Sequence, residues 1–427
     1  MTDRGRTIQS VAAAFAVGLG CGGADSTDAG LSGSADETAA VDDDGSGAAS
    51  ISTSDGGSAT QGSQDGTQGS TMADDTAADS PIFDVGAIGD VPGEDCECGF
   101  DDWSYLFVSN SAEATLSKIN TRTLTEEGRY RTRPDGSGNP SRTSVSIDGR
   151  AVVVANRMGG VTKFWARPEL CDDANGNGMI DTSSGPADIK AFADEECVAW
   201  HTPFPEATTQ RPVAWTSGSW DRSACEYTDQ KVWTAAANGT PGAVWPCDGA
   251  PGIVVYLLNG DTGAVEQEIP MPDVSCGGTF GPYGGAVDFE NDLWMYVWSA
   301  FTIVHVDFET FEYETISGGS YGITVDNEGR VWVDSGQRYD PATMTWASKI
   351  PANGLPGSGG SGVSVDLQGR VWTATQGGVG WIDAETMMVG DTVPLPEGGL
   401  YRGMAVDIDG YIWAVMLGGT TAHRIDP

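Results

Sequence analysis

The sequence predicts an all-β protein, a seven-bladed β-propeller. One short sequence phrase recurs in its C-terminal third at a regular interval, as expected for a repeated group of strands. The phrase is Gly-x-x-Val-Asp, followed by a Trp six residues after the Asp. The steps from one Asp to the next are 38, 40 and 41 residues. A period of about 40 residues is typical of propellers and solenoids. The four Asp–Trp pairs are Asp288 with Trp294, Asp326 with Trp332, Asp366 with Trp372, and Asp407 with Trp413.

Each copy of the phrase predicts a hairpin of two strands. Residues 322–326 alternate and are β-branched, residues 327–329 break the pattern, and residues 330–333 resume it. Gly329, three residues after the Asp, suits a tight turn with positive φ. We therefore expect the repeated Asp to form the turn through its side chain, and the repeated Trp to pack between neighbouring blades.

Weaker copies extend the repeat toward the N-terminus. Residues 144–154 and 212–233 show the same pattern with long insertions, near 167–200 and 216–250. The stretch 105–132 is predicted to form three strands of a blade that lacks its first strand, and the last copy, 403–427, ends after about three strands. If the two ends form separate blades the count is seven, with the termini paired to close the ring. If they complete one blade together, the count is six. We expect seven, because each end retains its own central strand.

The composition changes sharply before the predicted propeller at 96–427. Residues 22–95 carry 16 Asp and Glu and no Lys or Arg, and they are rich in Gly, Ser, Thr and Ala. Such a segment cannot bury enough apolar surface to offset its ordering entropy, so it is predicted to be a disordered acidic spacer. The whole chain has a net charge of −39, which argues against a nucleic-acid partner.

A short apolar run at the N-terminus predicts export. Arg4 and Arg6 precede residues 11–20, which are too short to span a bilayer and fit the core of a signal peptide at 1–21. Residues 18–21 resemble a bacterial lipobox, although Gly18 stands where Leu is usual. We expect Cys21 to be lipidated, with the outer membrane or cell surface as destination and the lipid as the only membrane contact. Conventional cleavage, giving a periplasmic or secreted protein, is the alternative.

Seven further cysteines agree with an oxidising compartment. The insertions suggest their pairing: Cys171 with Cys197 would close the first, and Cys225 with Cys247 the second. Cys276 would then pair with Cys96 or Cys98.

The first insertion contains a calcium-loop pattern. Oxygen-bearing residues occupy positions 1, 3, 5 and 9, with Gly at position 6, as in EF-hands and dockerins. Position 12 is Ser184 instead of an acid, so another carboxylate from Asp188, Glu195 or Glu196 would be needed. We expect a structural Ca²⁺; the alternative is a turn-rich loop without an ion. The predicted ligands are Asp173, Asn175, Asn177, the carbonyl of Met179, and Asp181.

The repeated phrase, read with its Val-Trp second strand, resembles the blades of the streptogramin lyase (virginiamycin B lyase) superfamily and, more loosely, those of NHL and sensor-kinase periplasmic propellers. The resemblance covers about residues 103–427. It implies a propeller and, for the lyases, a histidine base with a divalent metal held by acidic residues near the channel mouth. The lyase blades continue the Trp with Phe-Thr-Glu, and here only Asp334 supplies an acid. His201, His305 and His423 do not match the family's base.

Residues just before or at the inner strands should ring one mouth of the central channel. Tyr and Arg at a concave site suit carboxylate, sugar or peptide ligands. Two hypotheses follow: a binding module for a protein, glycan or small molecule, which we favour, and a metal-dependent lyase that uses the same mouth. The candidate ligand-binding residues are Arg142, Tyr283, Tyr321, Tyr401 and Arg402.

Overall fold

The computed structural model describes residues 8–12 and 103–427, except 222–223, 225, 279, 299, 353–361 and 376. The predicted spacer and Cys21, Cys96, Cys98 and Cys225 lie outside the described residues. Within them the chain is all-β, as predicted. The described helices are single 3₁₀ turns at Ser111–Glu113, Pro168–Leu170 and Phe192–Asp194.

Seven antiparallel sheets form the blades, so the predicted seven-bladed propeller is confirmed and the six-bladed alternative is excluded. The first described strand, β1 (Ile8–Ala12), belongs to the last blade. Blade 1 has β2 (Tyr105–Asn110), β3 (Thr115–Asn120) and β4 (Thr125–Arg131). Blade 2 has β5 (Pro140–Val145), β6 (Ala151–Asn156), β7 (Val161–Trp165) and β8 (Val198–Thr202). Blade 3 has β9 (Thr209–Trp215), a side hairpin of β10 (Ser219–Asp221) and β11 (Glu226–Thr228), then β12 (Lys231–Ala237), β13 (Ile253–Asn259) and β14 (Val265–Met271).

The last four blades are regular and each has four strands. Blade 4 has β15 (Pro282–Val287), β16 (Leu293–Val297), β17 (Thr302–Val306) and β18 (Tyr313–Ser317). Blade 5 has β19 (Ile323–Val325), β20 (Val331–Val333), β21 (Gln337–Asp340) and β22 (Thr345–Ser348). Blade 6 has β23 (Val363–Val365), β24 (Arg370–Thr375), β25 (Gly378–Asp383) and β26 (Val389–Pro394). Blade 7 has β27 (Tyr401–Val406), β28 (Ile412–Met416), β29 (Thr421–Ile425) and, as its outer strand, β1.

Pairing of the two ends of the chain completes blade 7. β1 runs antiparallel to β29, with Ile8 opposite Ile425 and Ala12 opposite Thr421. Pairing removes the free edge that β29 would otherwise present to solvent. Because β1 lies within the predicted signal peptide, removal of that peptide would leave β29 as the outer edge of the blade.

The first strand of each blade faces a central channel. These strands pair with one neighbour only within their own sheet, and those of consecutive blades 1 to 7 contact one another. Leu106 and Val108 of blade 1 pack with Ala405 and Trp413 of blade 7, which closes the ring. We call these first strands the inner strands.

The repeated Asp forms the turn between the first two strands, as predicted. The Asp326 Oδ1 accepts hydrogen bonds from the backbone N–H groups of Glu328 and Arg330, both at 3.0 Å. Gly329 adopts φ +74°, a conformation that favours glycine. The same pair of backbone bonds forms at Asp288 and Asp366.

The second oxygen of the same Asp binds the repeated Trp, which the sequence did not reveal. Thr324 lies opposite Trp332 in the hairpin, so Asp326, two residues after Thr324, reaches the same face of the sheet. The buried carboxylate therefore satisfies the indole N–H as well as the turn. The Nε1 to Oδ2 distances are 2.6 Å for Trp294–Asp288, 2.7 Å for Trp332–Asp326, 2.7 Å for Trp372–Asp366 and 2.8 Å for Trp413–Asp407.

Each repeated Trp packs against the next blade, as predicted. Trp332 of blade 5 lies in one apolar cluster with Val363 and Val371 of blade 6. Trp372 of blade 6 lies in a cluster with Met404 and Ile412 of blade 7. One side chain thus stabilises both its own hairpin and the contact to the next blade.

Among the described residues, two disulfides form. Cys171 bonds to Cys197, which confirms that pairing. Cys247 bonds to Cys276, so the predicted pairs Cys225–Cys247 and Cys276 with Cys96 or Cys98 are wrong. The reason is the register of β13 with β14: Ile253 lies opposite Met271, and the two cysteines flank the open end of that hairpin at similar distances along the chain.

Candidate functional site

The predicted ligand-binding residues lie where the inner strands begin. Arg142 is in β5, Tyr283 in β15, and Tyr401 and Arg402 open β27, while Tyr321 lies two residues before β19. Inner strands of a propeller run in the same direction along the channel, so their starts share one end. We call this end the entry mouth.

Arginine and tyrosine side chains from different blades stack on one another at the entry mouth. The Arg142 guanidinium carbon lies 4.7 Å from the Tyr283 ring centroid and 4.9 Å from that of Tyr321. The Arg402 guanidinium carbon lies 5.0 Å from the Tyr321 centroid, and that of Arg211 lies 4.6 Å from the Tyr283 centroid. The two tyrosine rings are 4.5 Å apart. These distances are within the range of cation–π attraction, which fixes the guanidinium groups in place.

Several donors in this stack are buried without a hydrogen-bond partner. Arg142, Tyr321 and Arg402 are 6%, 2% and 8% exposed. The Arg142 Nη1, the Arg402 Nε and Nη1, and the Tyr321 hydroxyl form no hydrogen bond to any described residue. Buried polar groups are normally satisfied by protein, water or ligand, so such a cluster requires an explanation.

These three side chains line a cavity in the channel. Its volume is about 110 Å³, and the inner strands of blades 2 to 7 form the rest of its wall. A single water needs about 10–15 Å³ on the same kind of measure, so the cavity has room for a ligand of several heavy atoms. Among the described residues that line it there is no Asp, Glu or His.

Tyr401, also predicted at the mouth, is not among the residues lining this cavity. Its buried side chain packs in the core between blades 6 and 7, and its hydroxyl donates to Glu397 at 2.9 Å. The His423 imidazole contacts the same carboxylate through Nε2. Burial, followed by the bond to Glu397, raises the pKa of Tyr401. The structure thus separates Tyr401 from Arg142, Tyr321 and Arg402.

The other histidines are also held away from the cavity. His201 bonds the Thr162 hydroxyl through Nδ1 at 2.8 Å. Burial lowers the pKa of His201 to about 4. His305 lies on β17 and stacks on Trp294, with ring centroids 4.1 Å apart.

His305 forms a cluster with two carboxylates that the sequence did not single out. Ligand atoms of Asp288, Asp292 and His305 all lie within 4.8 Å of one another. His305 Nε2 is 2.9 Å from the Asp292 Oδ2. Asp288 follows the end of inner strand β15, so the cluster lies at the end of blade 4 away from the entry mouth.

Comparison between blades explains this cluster. In blades 5 and 6 the residue four after the repeated Asp is Arg330 or Arg370, whose Nε donates to that Asp. In blade 4 this position is Asp292, and the imidazole of His305 bonds to that Asp292. Burial and the nearby charge of Asp292 raise the pKa of Asp288 to about 6. Burial alone would lower the pKa of His305, but the bond to Asp292 raises it.

The predicted calcium loop folds around its own oxygen atoms. The Asp173 carboxylate accepts from the backbone N–H groups of Gly176, Asn177 and Gly178 at 2.8 to 3.1 Å. The Asp181 Oδ2 accepts from the side-chain amides of Asn175 and Asn177.

One of the three carboxylates suggested to complete the calcium loop lies directly beside it. Glu196 accepts from the backbone N–H groups of Asn175 at 3.0 Å and Asp181 at 2.7 Å. Glu195 binds Ser183 and Thr182 instead, and Asp188 binds Ser184. The oxygen donors present are those that Ca²⁺ prefers, so the residues fit a calcium site.

Comparison with solved structures identifies proteins of similar fold. A streptogramin B lyase structure superposes with a TM-score of 0.53 at 14% sequence identity, over 75% of this chain and 89% of that chain. The virginiamycin B lyase from Staphylococcus aureus superposes with a TM-score of 0.51 at 13% identity, over 77% and 93%. No family model and no curated protein sequence matches this chain. The similarity supports the predicted β-propeller fold.

None of the helices in the described part of the chain is long and apolar enough to cross a bilayer. The two disulfides indicate that the propeller resides in an oxidising compartment.

Proposed function

We propose that this protein is an extracytoplasmic β-propeller that acts as a binding module and takes a small polar ligand into its entry mouth. The observation that carries the proposal is the set of buried, unsatisfied donors of Arg142, Tyr321 and Arg402, three residues that line a cavity of about 110 Å³. Ligand sites are concave and few, with a small number of convergent polar groups.

The cavity favours binding over the lyase alternative. A general base must lie within hydrogen-bond reach of the proton that it removes. The described side chains lining the cavity offer guanidinium, hydroxyl, indole, thioether and aliphatic groups, and no carboxylate or imidazole. The Asp288, Asp292 and His305 cluster, which has base and acid groups, lies away from the mouth.

Thermal unfolding in the presence of four chemically different compounds tests the proposed function. The probes are sodium malonate, sodium phosphate, N-acetylglucosamine and diglycine, each against sodium chloride of equal ionic strength. At least one should raise the Tm and should slow hydrogen exchange in β19 and β27. Four unchanged Tm values, or protection elsewhere, would refute the proposal. Opening of a streptogramin B ring in the presence of Mg²⁺ would instead establish the lyase.

We further propose that Cys21 is lipidated and that residues 22–95 act as a flexible tether between the anchor and the propeller. The lipobox-like residues 18–21 and the uniformly acidic spacer support this arrangement. Mass spectrometry of the mature N-terminal peptide tests it: diacylglycerol on Cys21 is expected, and an unmodified peptide would show conventional cleavage.

The loop at Asp173 is proposed to bind a structural Ca²⁺. Because its core has only two carboxylates, Asp173 and Asp181, we expect a Kd of about 10⁻⁴ to 10⁻³ M, as in extracellular modules. Calorimetric titration with calcium chloride measures it. Asp173→Ala should abolish the heat of binding, whereas Asp172→Ala, a neighbouring exposed acid outside the ligand set, should leave it unchanged. Equal binding by both variants would rule out the loop as the site.

A further inference from the structure

We infer that the ligand of the entry mouth is a small oxyanion with two negative charges, held by Arg142, Arg402 and the hydroxyl of Tyr321. The inference rests on the proposed function and specifies its ligand class.

The charges of Arg142 and Arg402 are not balanced by the described part of the protein. Arginine cannot lose its proton inside a protein, unlike a buried lysine or histidine. An isolated buried charge is very costly unless it is paired. Arg142 and Arg402 form no ion pair within the part of the chain that the structure describes, although the protein as a whole carries a net charge of −39. The protein has many carboxylates, but the described ones do not pair with these two guanidinium charges. We therefore expect an external anion to balance them.

The donors of the two arginines are held in place by stacking on Tyr321. The Arg142 and Arg402 guanidinium groups both rest on the Tyr321 ring, at 4.9 Å and 5.0 Å. Their unsatisfied N–H groups and the Tyr321 hydroxyl belong to residues that line the same cavity. Guanidinium groups bind carboxylate and phosphate oxygens with good geometry, and stacking on an aromatic ring orients them before the ligand arrives.

The size of the site sets the limit on the ligand. A cavity of about 110 Å³ admits a molecule of several heavy atoms and excludes a folded partner. The wall consists of inner strands, each paired on one side only, so backbone groups also face the channel. A dicarboxylate and an inorganic phosphate share the chemistry that this site would recognise, and the experiment distinguishes them.

The test is calorimetric titration of the full chain with sodium malonate and, separately, with sodium phosphate, at constant low ionic strength because salt screens charges. At least one anion should bind. The anion that binds more tightly shows whether the site takes a dicarboxylate or a phosphate. Arg142→Gln and Arg402→Gln should each weaken that binding at least tenfold, since a charge-assisted hydrogen bond contributes about 1.5–3 kcal/mol. Arg150→Gln is the matched control: Arg150 pairs with Glu226 on the surface, so binding should change less than twofold.

Tyr321→Phe provides a variant that is expected to fold, because it keeps the ring and removes only an unsatisfied hydroxyl. It should weaken anion binding several-fold without lowering the Tm of the free protein. Anion binding that is equal in wild type, Tyr321→Phe and Arg402→Gln would overturn the inference. If N-acetylglucosamine or diglycine binds and neither anion does, the inference fails while the proposed function stands. If none of the four compounds binds, both fail.

Discussion

Replacement of Trp372 by Ala is expected to lower the free energy of unfolding by about 3–5 kcal/mol, the range for truncating a large buried aromatic residue. Trp372 is fully buried and packs against Met404 and Ile412 of the next blade. The change would leave a cavity between blades 6 and 7 and would also remove the indole donor from Asp366. Urea denaturation followed by circular dichroism measures the effect.

Trp245→Ala is the control for this prediction, because Trp245 is 45% exposed and lies on an insertion. This substitution should change the free energy of unfolding by no more than about 0.5 kcal/mol, as for most surface substitutions. Trp372→Phe should fall between the two, at about 1–2 kcal/mol, since it retains an aromatic ring but removes the indole donor to Asp366. Equal costs for Trp372→Ala and Trp245→Ala would show that the repeated Trp does not hold adjacent blades together.

The sequence allowed the fold to be predicted because its periodic features are local. An Asp, a Gly three residues later and a Trp six residues later specify one hairpin, and the step of 38 to 41 residues specifies one blade. The number of blades followed from the inference that each chain end retains its own central strand. The prediction that the blade at 105–132 lacks its first strand is wrong, because β2 is the inner strand of blade 1. The hydrogen bond between Asp326 and Trp332 was missed although the constant spacing was visible, because the register that puts both on one face follows only from the paired strands.

Contacts between distant segments were predicted less well. Cys171 and Cys197 enclose a single insertion, and their pairing was found from sequence order. Cys247 and Cys276 meet because a hairpin brings its two flanks together, and sequence order suggested other partners.

At the candidate site too, positions along the chain were predictable, whereas contacts between different blades were not. Strand starts located Arg142, Tyr321 and Arg402 at one mouth, but the stacking of the two arginines on one tyrosine joins three different blades. Tyr401 was placed with them because it also starts an inner strand, whereas the side-chain direction turns it into the core. The cluster of Asp288, Asp292 and His305 was missed because His305 comes from a third strand. An acid at the position of Arg330 and Arg370 was the available signal.

Replacement of Asp366 by Ala is expected to cost about 2–4 kcal/mol of unfolding free energy, because one buried carboxylate satisfies several donors. Oδ1 accepts from the backbone N–H groups of Gln368 and Arg370, and Oδ2 accepts from Trp372 and from the Arg370 guanidinium. Solvent screening reduces the contribution of the Arg370–Asp366 ion pair to this free energy, since the Arg370 side chain is 20% exposed. Asp307 is the matched control: it accepts turn N–H groups from Glu309 and Thr310 at the surface, and its Ala variant should cost below about 1 kcal/mol.

Asp366→Asn separates the two roles of the carboxylate. The amide oxygen can still accept the backbone bonds of the turn, but the amide nitrogen would then face the donors of Trp372 and Arg370. If the repeated Asp acts only as a turn former, Asn should restore wild-type stability. We expect instead that Asp366→Asn loses at least half as much unfolding free energy as Asp366→Ala, as measured by urea denaturation. A loss within about 0.5 kcal/mol of wild type would mean that the indole bond adds little, and that turn chemistry alone explains why the repeated phrase requires Asp.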